Sequence, residues 1–172
     1  MVICCRYEQD AARIRAALGK RLAKYHLRLN EEKTRLVPFS RRNSGGRSFD
    51  FLGFTFYWGR SRQGRTIPKV KTCGKRLRAK LRRVNACARK IRSRKPLRQI
   101  WEVFRSKLRG HIQYYGVSFN IPAAQTFLQA ATRILFKWLN RRSQCKSFNW
   151  AAFTLFRQAY PLPSARVYHA LY

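Results

Sequence analysis

The spacing of apolar positions changes along this chain, and the change divides it in two. Val2 to Cys5 is a short apolar run of the kind that makes a buried strand. Ala11, Ile14, Leu18, Leu22 and Tyr25 then recur every three or four residues. Arg13, Arg15, Lys20, Arg21 and Lys24 fill the other face, which predicts an amphipathic helix. Leu27, Leu29, Leu36 and Val37 flank Asn30 to Thr34 as a strand–turn–strand. Ser40 to Ser48 is polar, basic and glycine-containing, and predicts a loop. Phe49 to Trp58 is the strongest strand signal, and Gly53 within it suggests a bulge or a close backbone approach. Gly59 to Gly64 predicts a turn, with Arg65 to Lys71 returning as a strand that Pro68 confines to an edge.

After Gly74 the period is helical throughout. Leu77, Leu81, Val84, Ala88 and Ile91 form a narrow seam. Leu97, Ile100, Phe104, Leu108, Ile112 and Tyr115 form a second stripe, opened by Pro96 and ended by Gly116. Asn120 and Pro122 open a third helix carrying Phe127, Ala131, Ile134, Leu135, Trp138 and Leu139. Ser147 is placed to cap a fourth, running through Phe156 and stopped by Pro161 and Pro163. The pattern is α+β: a few antiparallel strands and one helix over residues 1–72, then a helical bundle over 73–172.

Charge adds the strongest constraint. Thirty-nine Lys and Arg face six acids, a net charge of +33 over 172 residues. Such a chain repels itself when folded, and polyanionic phosphates relieve that cost. Disorder would suit the charge, but the sequence is 45% hydrophobic and 14% aromatic, enough to bury a core. Between Lys75 and Arg109 there are fifteen basic residues and one acid, Glu102. A solvated helix normally alternates its charges at i,i+4, and here the acids are missing. Arg76, Arg78, Lys80, Arg82, Arg83, Arg89, Lys90 and Arg92 are therefore the expected phosphate contacts, with Arg105, Lys107 and Arg109 extending the surface. Trp58, Tyr114, Tyr115 and Trp138 are candidates for stacking on bases, although Trp138 lies on an apolar stripe and reads as core.

Other chemistry is thinly represented. The five cysteines include no Cys-x-x-Cys pair, and His26, His111 and His169 lack metal-ligand spacing, so neither a disulfide framework nor a metal site is expected. No apolar run approaches the roughly 20 residues that cross a bilayer. No membrane role is expected, and the expected location is cytoplasmic.

Three segments resemble group II intron reverse transcriptases in order and spacing. They are Ile3-Cys4-Cys5, Leu29-Asn30-Glu31-Glu32-Lys33-Thr34 and Phe49-Asp50-Phe51-Leu52-Gly53-Phe54. The helices beyond Gly74, with Leu108-Arg109-Gly110-His111-Ile112-Gln113-Tyr114-Tyr115, are similar to the thumb, or maturase-specific domain, of that family. The resemblance implies the end of a reverse-transcriptase palm over 1–72 and a thumb over 73–172. It also implies that Lys33 lies near an active site and that Phe51, Leu52 and Gly53 belong to a primer-grip hairpin. Lys33 reads equally as an exposed turn lysine.

Paired aspartates that would hold two metal ions precede the first of these segments in the family, and this sequence has no such pair. Two-metal phosphoryl transfer needs clustered carboxylates. Glu31 and Glu32 are adjacent, and Asp50 stands alone. No cofactor is expected in this chain, and Mg2+ only if a missing catalytic part is supplied. The expected function is a maturase-type module that grips structured RNA, group II intron RNA above all, without polymerase activity of its own. A template–primer RNA/DNA duplex is a further expected partner. The alternative is the C-terminal half of a split or truncated RNA-directed DNA polymerase, active only with a separate chain carrying fingers and palm. A basic RNA binder of the ribosomal kind, unrelated to introns, would share the composition but not the ordered motifs.

Overall fold

The structure, a computed structural model, describes residues 2–41, 48–142 and 148–171. In chain order the elements are α1 (Glu8–Ala23), β1 (Phe49–Phe51), β2 (Phe54–Arg60), β3 (Thr66–Thr72), α2 (Gly74–Ile91), α3 (Leu97–Tyr115), α4 (Ile121–Leu139) and α5 (Trp150–Ala159). The architecture is α+β.

The first helix forms as its period predicts. Glu8 and Asp10 lie in its first turn and Lys20 and Arg21 in its last, the charge order that suits the helix dipole. It ends without a glycine: His26 adopts a left-handed conformation (φ 57), and the Leu27 N–H reaches back to the Leu22 carbonyl at 3.0 Å. No residue of α1 is buried.

The two early strand expectations fail. Val2 to Cys5 and the segments around Asn30 are irregular and mostly exposed, with no strand partner for either. The expected turn does form. Asn30 Oδ1 accepts from the Lys33 N–H at 3.0 Å, and Thr34 Oγ1 donates to the Asn30 carbonyl at 2.7 Å.

Phe49 to Arg60 is two strands rather than one. Leu52 (φ 48) and Gly53 (φ 83) make a two-residue turn with both φ positive, so Gly53 sits in a tight hairpin and not in a bulge. The sheet order is β1-β2-β3, antiparallel, and Pro68 lies on the edge strand as expected. Phe49, Phe56, Trp58 and Val70 share one face by register. Phe39 covers part of it, edge-on to Phe49 and stacked on Trp58 with centroids 5.0 Å apart.

In the bundle, Phe127 of α4 stacks on His111 of α3, and Arg92 at the end of α2 bonds to Arg141 at the end of α4. Thus α2 and α4 run parallel and α3 runs against both. Ile100, Phe104 and Leu108 of α3 meet Phe127, Ala131 and Leu135 of α4 in the core, and Phe153 of α5 closes one end. Helix α5 begins at Trp150, with the Asn149 side chain accepting from the Ala152 N–H at 2.7 Å. Ser147, the expected cap, lies outside the described residues.

Two polar devices join sheet to bundle. Asn120 is fully buried, and its side chain serves β3 rather than capping α4. Its Oδ1 accepts from the Thr72 N–H (2.6 Å) and hydroxyl (3.0 Å), while its Nδ2 donates to the Tyr115 carbonyl at 2.7 Å. The Leu52-Gly53 turn packs on the end of α3, where a Cβ on Gly53 would lie 2.7 Å from Tyr115 Oη. Gly116 serves close approach too, since a Cβ there would meet the Arg166 carbonyl at 2.5 Å.

Candidate nucleic-acid interface

Helix α2 carries eight Lys and Arg and no acid. Among the described residues there are three ion pairs, Arg13–Asp10, Arg15–Glu31 and Arg98–Glu102, and none involves α2. The helix also lacks an acid in its first turn, so its positive dipole end adds to the side-chain charge.

Seven residues are nearly two helical turns, about 10.5 Å of rise. Lys75, Arg82 and Arg89 recur at that interval, as do Arg76, Arg83 and Lys90, and all six are exposed. These two rows flank Ala79 and Ala86, which share the seven-residue repeat. Asn85 Oδ1 accepts from Trp138 Nε1 of α4 at 2.7 Å, so the Lys75 row lies on the α4 side. Lys80 meets His111, so the Arg76 row lies on the α3 side. Lys75 was not among the expected contacts, yet its place in the repeat was legible in the sequence.

The other expected contacts divide. Arg78 is exposed on the α4 side of α2. Lys80 is half-buried: its ammonium lies 3.3 Å from His111 Nδ1 and 4.9 Å from the Tyr115 ring centroid. Burial first, and Arg83 second, lower its pKa from the ordinary lysine value. Lys80 thus seals the α2–α3 joint. Arg92 is half-buried over the Trp138 ring at 4.9 Å and donates from Nη1 to the Arg141 carbonyl at 2.6 Å. On α3, Arg105, Lys107 and Arg109 are exposed but do not form one surface. Arg105 and Arg109 follow Trp101 at four-residue steps, on the flank facing α5. Lys107 precedes His111 by four and lies on the α2 flank.

The aromatic candidates are mostly engaged by the protein. Tyr115 is buried. Tyr114 is 49% exposed but stacks on Phe54 and donates to the Leu52 carbonyl at 2.7 Å. Trp58 stacks on Phe39. Trp138 is only half-buried and is surrounded by cations, with Lys137 and Arg141 each 5.5 Å from its ring. That cluster joins residues about fifty positions apart, so local sequence pattern gave no signal of it.

Phe51, Leu52 and Gly53 do form a hairpin, held by α3. Lys33 is exposed in its turn. The carboxylates do not converge: Glu31 pairs with Arg15 at 2.9 Å, and Asp50 accepts from Thr55 Oγ1 and from Cys73 Sγ. Among the described residues no group of three or more His, Cys, Asp or Glu side chains is placed to hold a metal ion. These residues do not fit the Mg2+ pair of a polymerase, and no metal-dependent step is assigned to them. No helix among the described residues is long and apolar enough to cross a membrane.

In comparison with known proteins, the chain matches no family model, no curated protein and no solved structure.

Proposed function

We propose that this chain binds structured RNA, with the outer face of α2 against the sugar–phosphate backbone. The observation that carries the reading is the pair of basic rows on α2, exposed, in no ion pair among the described residues and separated by alanines. Alanines between the rows let the helix axis approach a nucleic-acid surface while guanidinium groups reach phosphates on either side. Shape and backbone contact, rather than base reading, are how folded RNA is mostly held. The resemblance of the ordered motifs to group II intron reverse transcriptases makes intron RNA the expected partner, with the chain acting as a maturase-type thumb module and not as a polymerase. Competition between a folded group II intron RNA and an equal length of unrelated duplex tests it. Preferential binding of the intron supports the maturase reading, and equal binding reduces the protein to a general RNA binder.

The N-terminal segment favours a second reading. Helix α1 has no fully buried residue, and Val2, Ile3, Ile14, Leu27, Leu36 and Val37 are exposed. A separate chain with fingers and palm would cover that surface and supply the carboxylates of an RNA-directed DNA polymerase. Co-expression with such a chain, read out as primer extension, separates the two.

A further inference from the structure

Helices α2 and α4 end side by side, and their last turns gather cations around one ring. Trp138 of α4 is fixed by its own hydrogen bond, Nε1 donating to Asn85 Oδ1 at 2.7 Å. The Arg92 guanidinium lies 4.9 Å from the ring centroid, and the Lys137 ammonium and Arg141 guanidinium lie 5.5 Å from it. Asn85 and Arg92 also line an open cleft of about 410 Å³ on the last turns of α2, together with Arg89 and Arg94. Nothing acidic balances these charges. The sequence has no Asp or Glu after Glu102, and no ion pair among the described residues includes any of them.

Cations at a helix C-terminus have an ordinary explanation, since open carbonyls and the dipole both draw them. That explanation covers Arg92, whose Nη1 donates to the Arg141 carbonyl at 2.6 Å, and Arg142, whose Nη2 donates to the Lys95 carbonyl at 3.3 Å. The Ile91 carbonyl is met by the Arg94 and Lys95 N–H groups at 3.2 Å each. The side chains of Lys137 and Arg141 bond to no carbonyl among the described residues. Their charged groups contact the Trp138 ring, which Arg92 already shares. A ring attracts cations without neutralising them, so the three charges still repel one another.

We propose that an RNA strand lying along α2 crosses to α4 at this point, with one phosphate in the cleft between Arg89, Arg92 and Arg94 and the next against Lys137 and Arg141. The inference rests on the RNA-binding reading above and adds α4 to the surface. Arg92, tethered through Nη1, presents the rest of its fork in a fixed position, which suits phosphate oxygens. The openness of the cleft suits a phosphate of a polymer anchored elsewhere better than a free anion. Arg89 belongs both to the cleft and to the exposed row of Lys75 and Arg82, so the site continues a charged track. That continuity favours a regularly charged backbone over an acidic peptide.

The test measures the affinity of the full chain for a structured RNA across a range of salt concentrations. Lys137→Gln with Arg141→Gln should weaken binding roughly tenfold and make the slope of log affinity against log salt shallower by about one to two. Lys137→Arg with Arg141→Lys keeps both charges and should bind like the parent. Arg62→Gln with Arg65→Gln removes as much charge from the exposed β2–β3 turn and should keep the parent's slope. Acetylation of the unsubstituted chain, read by mass spectrometry, should show Lys137 protected by RNA and the exposed Lys20 of α1 unprotected. Equal slope changes in the two glutamine variants, no change in either, or protection of Lys137 by an acidic peptide and not by RNA would overturn the crossing. If the parent binds no RNA, the RNA-binding reading itself fails.

Discussion

The Tyr114 hydroxyl donates to the Leu52 carbonyl at 2.7 Å, so the end of α3 holds the hairpin turn between β1 and β2. Beside it, Gly53 has positive φ and its α-carbon faces Tyr115 Oη. Tyr114→Phe should keep the stack on Phe54 and lose one hydrogen bond, about 0.5–1.5 kcal/mol. Gly53→Ala should cost more, because strain and a clash with Tyr115 add together. Urea denaturation orders the two, and the reverse order would mean that the turn does not rest on α3.

Asn120 links three elements from a site with no solvent contact. Asn120→Ala strands a buried Thr72 N–H and hydroxyl and leaves the Tyr115 carbonyl with the Val117 N–H alone, a loss of about 2–4 kcal/mol. A urea midpoint within experimental error of the parent would contradict this arrangement.

His111 makes stability depend on pH. Burial, with the charge of Lys80 second, pushes its imidazole from 6.5 down to about 3. The unfolded chain takes up that proton near pH 6.5 and the folded chain only near 3, so stability is full above 6.5 and falls as pH drops through that window. Between pH 7 and pH 5 the loss should be about 2 kcal/mol. Asp50, held below the ordinary carboxyl value by hydrogen bonds from Thr55 and Cys73, adds a loss only below about pH 3.8. His111→Phe should remove the slope between pH 7 and 5. A variant with the parent's slope would assign it elsewhere.

The helices from Gly74 onward were legible because each carries a long apolar stripe with few competing patterns. The strand expectations at Val2 and around Asn30 failed because pairing is a tertiary property that a short apolar run cannot guarantee. Gly53 was legible as special but not as a turn, since Leu52 is an unusual residue for positive φ. On α2, charge density marked the helix as strongly basic but could not separate its exposed cations from Lys80 and Arg92. Those two turn toward His111 and Trp138, partners thirty-one and forty-six positions away. The engagement of Tyr114 by Leu52 was likewise invisible without the hairpin in place.

The central claim is that the basic rows of α2 lie against phosphates. Affinity for a structured RNA, measured across a range of salt concentrations, tests it directly, comparing the parent with a Lys75→Gln, Arg82→Gln, Arg89→Gln triple variant. These side chains are exposed, so folding should be unaffected. The account predicts a steep fall of log affinity with log salt in the parent, and a slope shallower by about two to three in the variant. A parent whose binding ignores salt, or a variant with the parent's slope, would contradict it.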